Sequence, residues 1–372
     1  MDKTARNIVV ILGNGFDLDL GLKTSYKDFW ESEFCPKYYP APLIYHLNQR
    51  WPDNLEAVKW YDLENELLNY YKSIPNPNEP DDYITDEEKE FIKEYRPDLW
   101  SFGHYSDKED IVQSLFEKGV LVASKNQFIA PSIPYKEEAL LPPLERDVKA
   151  FYLISKRLCE YLQSLSKPEQ SANSCASYFL SAINKCRQNG HVVELFTFNY
   201  TDVRFNKSHT HYMHGNCVDG NIIIGTRDDV NMAATYDFLQ KGMDDYFSPP
   251  DIVSALKDAD EVIIFGHSLG ENDRQYFAPF FLKQTNYDNP VKKDITIFTR
   301  DGNSQQEIKR ALQKMTNGNL SGLFSINQPT IIKTADIAED QEKFRSFLLK
   351  HETTEDDTDT IIGRLLSKPK QQ

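Results

Sequence analysis

The chain has 372 residues, 40% of them hydrophobic, and a formal net charge of −15. That length supports one large core or two modest ones, and the acidic balance argues against a broad nucleic-acid or anionic-membrane footprint. Five scattered cysteines without a Cys-x-x-Cys pair point to reduced thiols, not to a disulfide framework or a thiolate zinc site.

The first predicted element is the apolar run 7–12, "NIVVIL", too short for a signal peptide. Similar runs follow at 192–198, 221–225, 261–266 and 294–299, and "SGLFSINQPTIIK" offers a further edge strand. Continuous β-rich runs of this length suit strands buried on both faces of a parallel sheet. Between the first two lies a Tyr-, Trp-, Glu- and Lys-rich region. It has helical periodicity in "DNLEAVKWYDLENELLNYY" and "LERDVKAFYLISKRLCEYLQSL", and prolines break it in between. The expected fold is α/β: a Rossmann-like parallel sheet flanked by helices, with a large, mostly helical insertion. One nucleotide-binding domain spans 1–350, with its core at 1–35 and 190–350 and the insertion at 36–189. The remainder, 351–372, reads as a polar, flexible tail. No segment approaches the length of a membrane span, so a soluble, cytoplasmic protein is expected.

Four stretches carry candidate chemistry. Gly13, Asn14 and Gly15 follow the first strand, where glycine lets a backbone approach a ligand closely. Phe16 and Asp17 come next, and the hydroxyls of Thr24 and Tyr26 lie just beyond. An ordinary strand-to-helix turn explains the glycines equally well. In "FTFNYTD", Asn199 and Thr201 stand where ligands meet the carboxyl ends of parallel strands, or else they cap a helix. In "HTHYMHGN", His209 and His211 share strand parity while His214, before Gly215, does not. No carboxylate sits at a familiar ligand spacing, so no metal is expected, and His214 suits acid–base work near neutrality. Finally, Gly266, Ser268 and Asp273 lie in "FGHSLGEND". The stretch formally matches a nucleophile elbow, yet only His351 follows it, so a catalytic triad is not expected.

Taken together, "GNGFD" through Phe29, "WYDLE" (60–64), "FNYT", "MHG" and "IFGHSLGENDRQYF" resemble the bacteriophage abortive-infection H (AbiH) family over about the first 280 residues. That family in turn looks like the sirtuin-like NAD-binding proteins of antiphage defence. The resemblance implies that Gly13 and Gly15 form the glycine turn of the nucleotide site. Asn14, Phe16, Asp17, Thr24, Tyr26, Thr201, Gly215, Gly266, Ser268 and Asp273 would line that site, with Asn199 and His214 catalytic. Two departures stand out: Thr201 replaces a frequent aspartate, and the zinc-binding cysteine pairs of deacetylating sirtuins are missing.

The function expected is an abortive-infection protein that binds and hydrolyses NAD, or a related nucleotide, as a glycohydrolase. Its partners would be that nucleotide and a phage-derived trigger. Homo-oligomer formation stays open, and neither a membrane nor nucleic acid is expected. The alternatives are a non-catalytic nucleotide or phage sensor, a serine hydrolase using Ser268, and a nuclease.

Overall fold

The computed structural model describes residues 5–50, 62–123, 130–165, 173–202, 207–288, 290–351 and 353–367. Six parallel strands form one sheet: β1 (Asn7–Leu12), β2 (Val192–Thr197), β3 (Thr210–Tyr212), β4 (Glu261–Phe265), β5 (Asp294–Thr299) and β6 (Thr330–Lys333). Their order is β3-β2-β1-β4-β5-β6. This is the doubly wound order, in which the chain leaves β1 in one direction and returns to its other side.

The alternation along β1 shows why these runs become strands covered on both faces. Ile8, Val10 and Leu12 join the core under helices Cys175–Gln188, Ile337–Lys350 and Glu355–Leu366. Val9 and Ile11 join the opposite core with helices Ile252–Asp258, Arg274–Lys283 and Gly302–Met315. Burying each such side chain is worth about 1.5–3 kcal/mol, so a polar residue at any of these positions strains one layer or the other. Register then sets the site. Leu12 pairs with Thr197 on one side and with Phe265 on the other, so three strands end at one level. Gly13, Phe198 and Gly266 therefore leave the sheet together.

The chain divides into two compact units, 1–25 with 162–221 and 248–372, and 26–161 with 222–247. This corrects the single domain with an insertion at 36–189 in two places. Helix Cys175–Gln188 belongs to the sheet unit, because Phe179, Ala182, Ile183 and Cys186 make one apolar face that covers β1 and β2. The run 221–225 is not a strand. Ile222, Ile223 and Ile224 are buried, but in irregular backbone, and it is Thr226 that hydrogen-bonds with Leu239 and Lys241.

The expected tail is also corrected. Residues Glu355–Leu366 form a helix whose start is capped by Thr354 Oγ1, which accepts from Asp357 N–H at 3.2 Å. Leu365 lies one helical turn beyond Ile361 and Ile362, and all three pack into the first core.

The second unit is mainly helical, including Pro42–Arg50, Leu63–Ser73, Asp86–Glu94 and Glu109–Glu117. Its buried Asp147 accepts from Leu43 N–H and from the hydroxyls of Tyr70 and Tyr236. Burial pushes the Asp147 carboxyl up to about 6 against those hydrogen bonds. In the "WYDLE" stretch, Trp60 and Tyr61 lie outside the described residues. Asp62 caps helix Leu63–Ser73, and Glu64 pairs with Lys241 at 2.8 Å.

Candidate functional site

Glycine is required at the first turn for a reason other than ligand approach. Gly13 N–H donates to Phe265 O and Gly15 N–H donates to Gly266 O, each at 2.9 Å. A Cβ on Gly13 would lie 2.5 Å from His267 Cα, and one on Gly15 2.7 Å from Gly266 Cα. Gly266 itself sits at φ 67°, against Phe16 N. The turns after β1 and β4 are thus pressed together backbone to backbone. Helix Asn14–Asp19 starts at once, and Phe16 N–H donates to Gly13 O. The amides of Gly15 and Phe16 are therefore already engaged within the protein.

Phe16 packs beneath the turn, edge-on to Phe265 and Phe179, with its ring centroid 5.4 and 6.3 Å from theirs. Asn14 Oδ1 accepts from Thr24 Oγ1 at 2.6 Å, which ties the loop back to the helix. Tyr26 opens helix Tyr26–Glu31 in the second unit.

Above the strand ends, the polar residues of the sheet unit fall into two groups. In the first, Asp17 is only 2% exposed and accepts from Thr201 Oγ1 at 2.6 Å. Burial pushes its carboxyl up to about 7, while Thr201 and Asn199 favour the charged form. Asn199 is 5% exposed, and its backbone N–H donates to Thr197 Oγ1 at 3.1 Å. Its amide lies near enough to favour a charge on Asp17, yet neither amide atom completes a well-formed hydrogen bond among the described residues. A buried amide in that state costs about 1–3 kcal/mol.

The second group is built on Asp273. Its Oδ2 is 3.2 Å from His267 Nε2 and its Oδ1 is 3.6 Å from His214 Nε2. Leu269 N–H donates to His267 Nδ1 at 3.0 Å, so the proton of neutral His267 resides on Nε2 and faces Asp273. The Phe198 ring stands beside both imidazoles, 5.4 Å from His214 and 4.3 Å from His267 between centroids. Gly215 holds φ 70° next to Asn221, where a Cβ would collide with the Asn221 carbonyl.

Ser268 is exposed and has no hydrogen-bonded histidine among the described residues. Positive φ falls at Gly266 and Leu269 on either side of it, whereas a nucleophile elbow strains the serine itself. His209 ends a short 3-10 turn and His211 lies on β3, and both meet Glu194, at 2.9 and 2.6 Å. Among the described residues, no His, Cys, Asp and Glu grouping has the arrangement of a metal site.

Sequence reasoning missed His267 and Phe198, although both lie inside the stretches it singled out. The available signal was proximity: His267 directly follows a strand end, six residues before Asp273.

Fold and site together define an α/β protein with a doubly wound parallel sheet and buried acid–base groups at its carboxyl edge. The profile for bacteriophage abortive infection AbiH matches residues 9–289, and the chain belongs to that family. Its role is accordingly in abortive infection against phage. Comparison with curated proteins gives no match. No helix among the described residues is long and apolar enough to cross a membrane.

Proposed function

We propose that this chain is an abortive-infection effector that binds NAD, or a related nucleotide, at the carboxyl edge of its sheet and hydrolyses the nicotinamide–ribose bond. The reading is carried by one observation: a buried, unfilled Asn199 amide stands beside Asp17, a carboxyl that titrates near neutrality. Strand order supports it, since doubly wound sheets bind ligands beyond their carboxyl ends, where the order reverses.

Cleavage passes through an oxocarbenium-like state, with nicotinamide leaving as a neutral base. Water forms the new C–O bond as the C–N bond breaks, and its proton goes to His214, whose Nε2 lies 3.6 Å from the Asp273 carboxylate. Asn199 orients the ribose or the incoming water. General-base removal typically costs about 10²–10⁴-fold, so His214→Ala should lose nicotinamide release by that factor while keeping its thermal midpoint. The deciding experiment incubates the protein with NAD, with and without phage lysate, and measures free nicotinamide. Full release by a stable His214→Ala variant would remove this histidine from the mechanism.

A sensor that binds the nucleotide without cleaving it is the second reading. It is favoured by the low exposure of Asp17, Asn199 and His214, and by turn amides already bonded internally. Nucleotide bound and recovered intact after hours, with phage lysate present, would select it.

A further inference from the structure

Asn199 alone, among the described residues, has two buried side-chain atoms that lack a hydrogen bond. Its neighbours are not a phosphate site. Asp17 brings a carboxyl, Thr201 a hydroxyl already donating to it, and the amides of Gly15 and Phe16 are engaged by Gly266 O and Gly13 O. A phosphate dianion has no proton to donate to Asn199 Oδ1 and would meet the Asp17 carboxylate with like charge.

A pair of vicinal hydroxyls fits every one of these demands. One hydroxyl accepts from Asn199 Nδ2 and donates to Asp17. The other donates to Asn199 Oδ1 and accepts from a remaining amide proton. In doubly wound nucleotide-binding sheets a carboxylate following the second strand takes the ribose hydroxyl. Here β2 is followed by Asn199 and Thr201, and the carboxylate that meets them comes from Asp17 in helix Asn14–Asp19.

We infer that Asp17, Asn199 and Thr201 form a receptor for the cis-diol of a ribose, and that the glycine turn beneath them does not seat the diphosphate. The inference rests on the nucleotide-binding reading above but not on hydrolysis. The diol bonds to ionised Asp17, so ligand binding draws that carboxyl downward. Affinity should therefore weaken as pH falls from about 8 to 6.

The test is titration calorimetry on the full chain at pH 7.5 with adenosine, 2′,3′-dideoxyadenosine, inorganic pyrophosphate and NAD. Adenosine and NAD should bind, and dideoxyadenosine should bind at least about tenfold more weakly, the worth of one good buried hydrogen bond. Asn199→Ala should weaken adenosine about as much and leave dideoxyadenosine unchanged, a pattern that general damage to the fold would not produce. The wild-type ligand comparison stands even if that variant does not fold.

Equal affinity for the two nucleosides overturns the inference. So does failure of both adenosine and NAD to bind, or displacement of adenosine by pyrophosphate. Diol-dependent binding without nicotinamide release keeps the receptor and removes the hydrolase. Nicotinamide release from a protein indifferent to the diol does the reverse.

Discussion

The two edges of the sheet each bury a carboxylate, and the two carboxylates behave in opposite ways. At the amino edge Glu261, the first residue of β4, is fully buried. Burial alone would raise it, but His351 at 3.2 Å and Lys350 at 2.5 Å outweigh that and hold it at about 2, and Arg6 lies 3.1 Å away. At the carboxyl edge Asp17 has only neutral partners, and burial leaves it at about 7. Equal burial thus yields a permanent charge where cations converge and a titrating group where they do not. The amino edge is a fastener: Lys350 and His351 end helix Ile337–Lys350 and tie it to the strand. The carboxyl edge holds groups whose protonation can change, as sites of chemistry do.

Removing the fastener gives the largest expected effect. Glu261→Ala strands fully buried His351, and with it Lys350 and Arg6, without their shared counter-charge. Breaking one partner out of a buried ion pair typically costs about 3–5 kcal/mol. Urea denaturation should show that loss at pH 7. The wild-type contribution should disappear on acidification, because a depressed carboxyl loses its stabilising effect as pH falls from about 4.5 through about 2. A loss under 1 kcal/mol at pH 7 would mean that the cations rehydrate freely and that this edge is not a fastener.

The same measurement on Asp17 should have the opposite sign. Its folded carboxyl keeps its proton up to about 7, whereas the unfolded chain releases it near 4. Stability is therefore lost as pH rises through that window. Asp17→Asn, which fixes the neutral form, should gain about 2–4 kcal/mol at pH 8 and nothing at pH 4. A gain that appeared equally at both pH values would come from packing and would break the contrast between the edges.

How far this contrast was legible in the sequence depends on which physical signal each residue leaves. The runs at 7–12, 192–198, 261–266 and 294–299 contain strands β1, β2, β4 and β5 to within a residue. Two-faced burial writes itself as unbroken apolar sequence. Ile222–Ile224 leave the same signal and form no strand, because a buried loop also excludes water. The residues beyond strand ends were readable as polar interruptions, so Asp17, Asn199, His214 and Asp273 stood out in the sequence. Their pairings did not. Nothing local ties Asp17 to Thr201 across 184 positions, and the cations around Glu261 come from two separate segments, Arg6 and the adjacent Lys350 and His351. The glycines also stood out, but their backbone contact did not, since only coordinates show Gly15 pressed against Gly266. The helix Glu355–Leu366 was hidden by its acidic first turn, which lowers mean hydropathy while leaving Ile361, Ile362 and Leu365 on one face.

A third carboxylate tests whether burial or partner count controls the outcome. Glu194 on β2 lies between His209 and His211, much as Glu261 lies among its basic groups. Their hydrogen bonds lower its carboxyl against burial, but all three side chains keep about a third or more of their surface exposed. Solvent then screens the charges, and exposed pairs are typically worth about 0–1 kcal/mol. His211→Ala also removes a ring stacked 4.7 Å from Phe196, a packing loss between β3 and β2. The expected cost is about 1 kcal/mol in all, with its electrostatic part shrinking between 0.05 and 0.5 M salt as the Debye length falls below about 10 Å. Denaturation midpoints of His211→Ala and Glu261→Ala across that salt range make the comparison direct. If His211→Ala cost as much as Glu261→Ala and ignored salt, partner geometry rather than burial would set the strength of these clusters. The amino-edge fastener would then owe nothing to its place beneath the sheet.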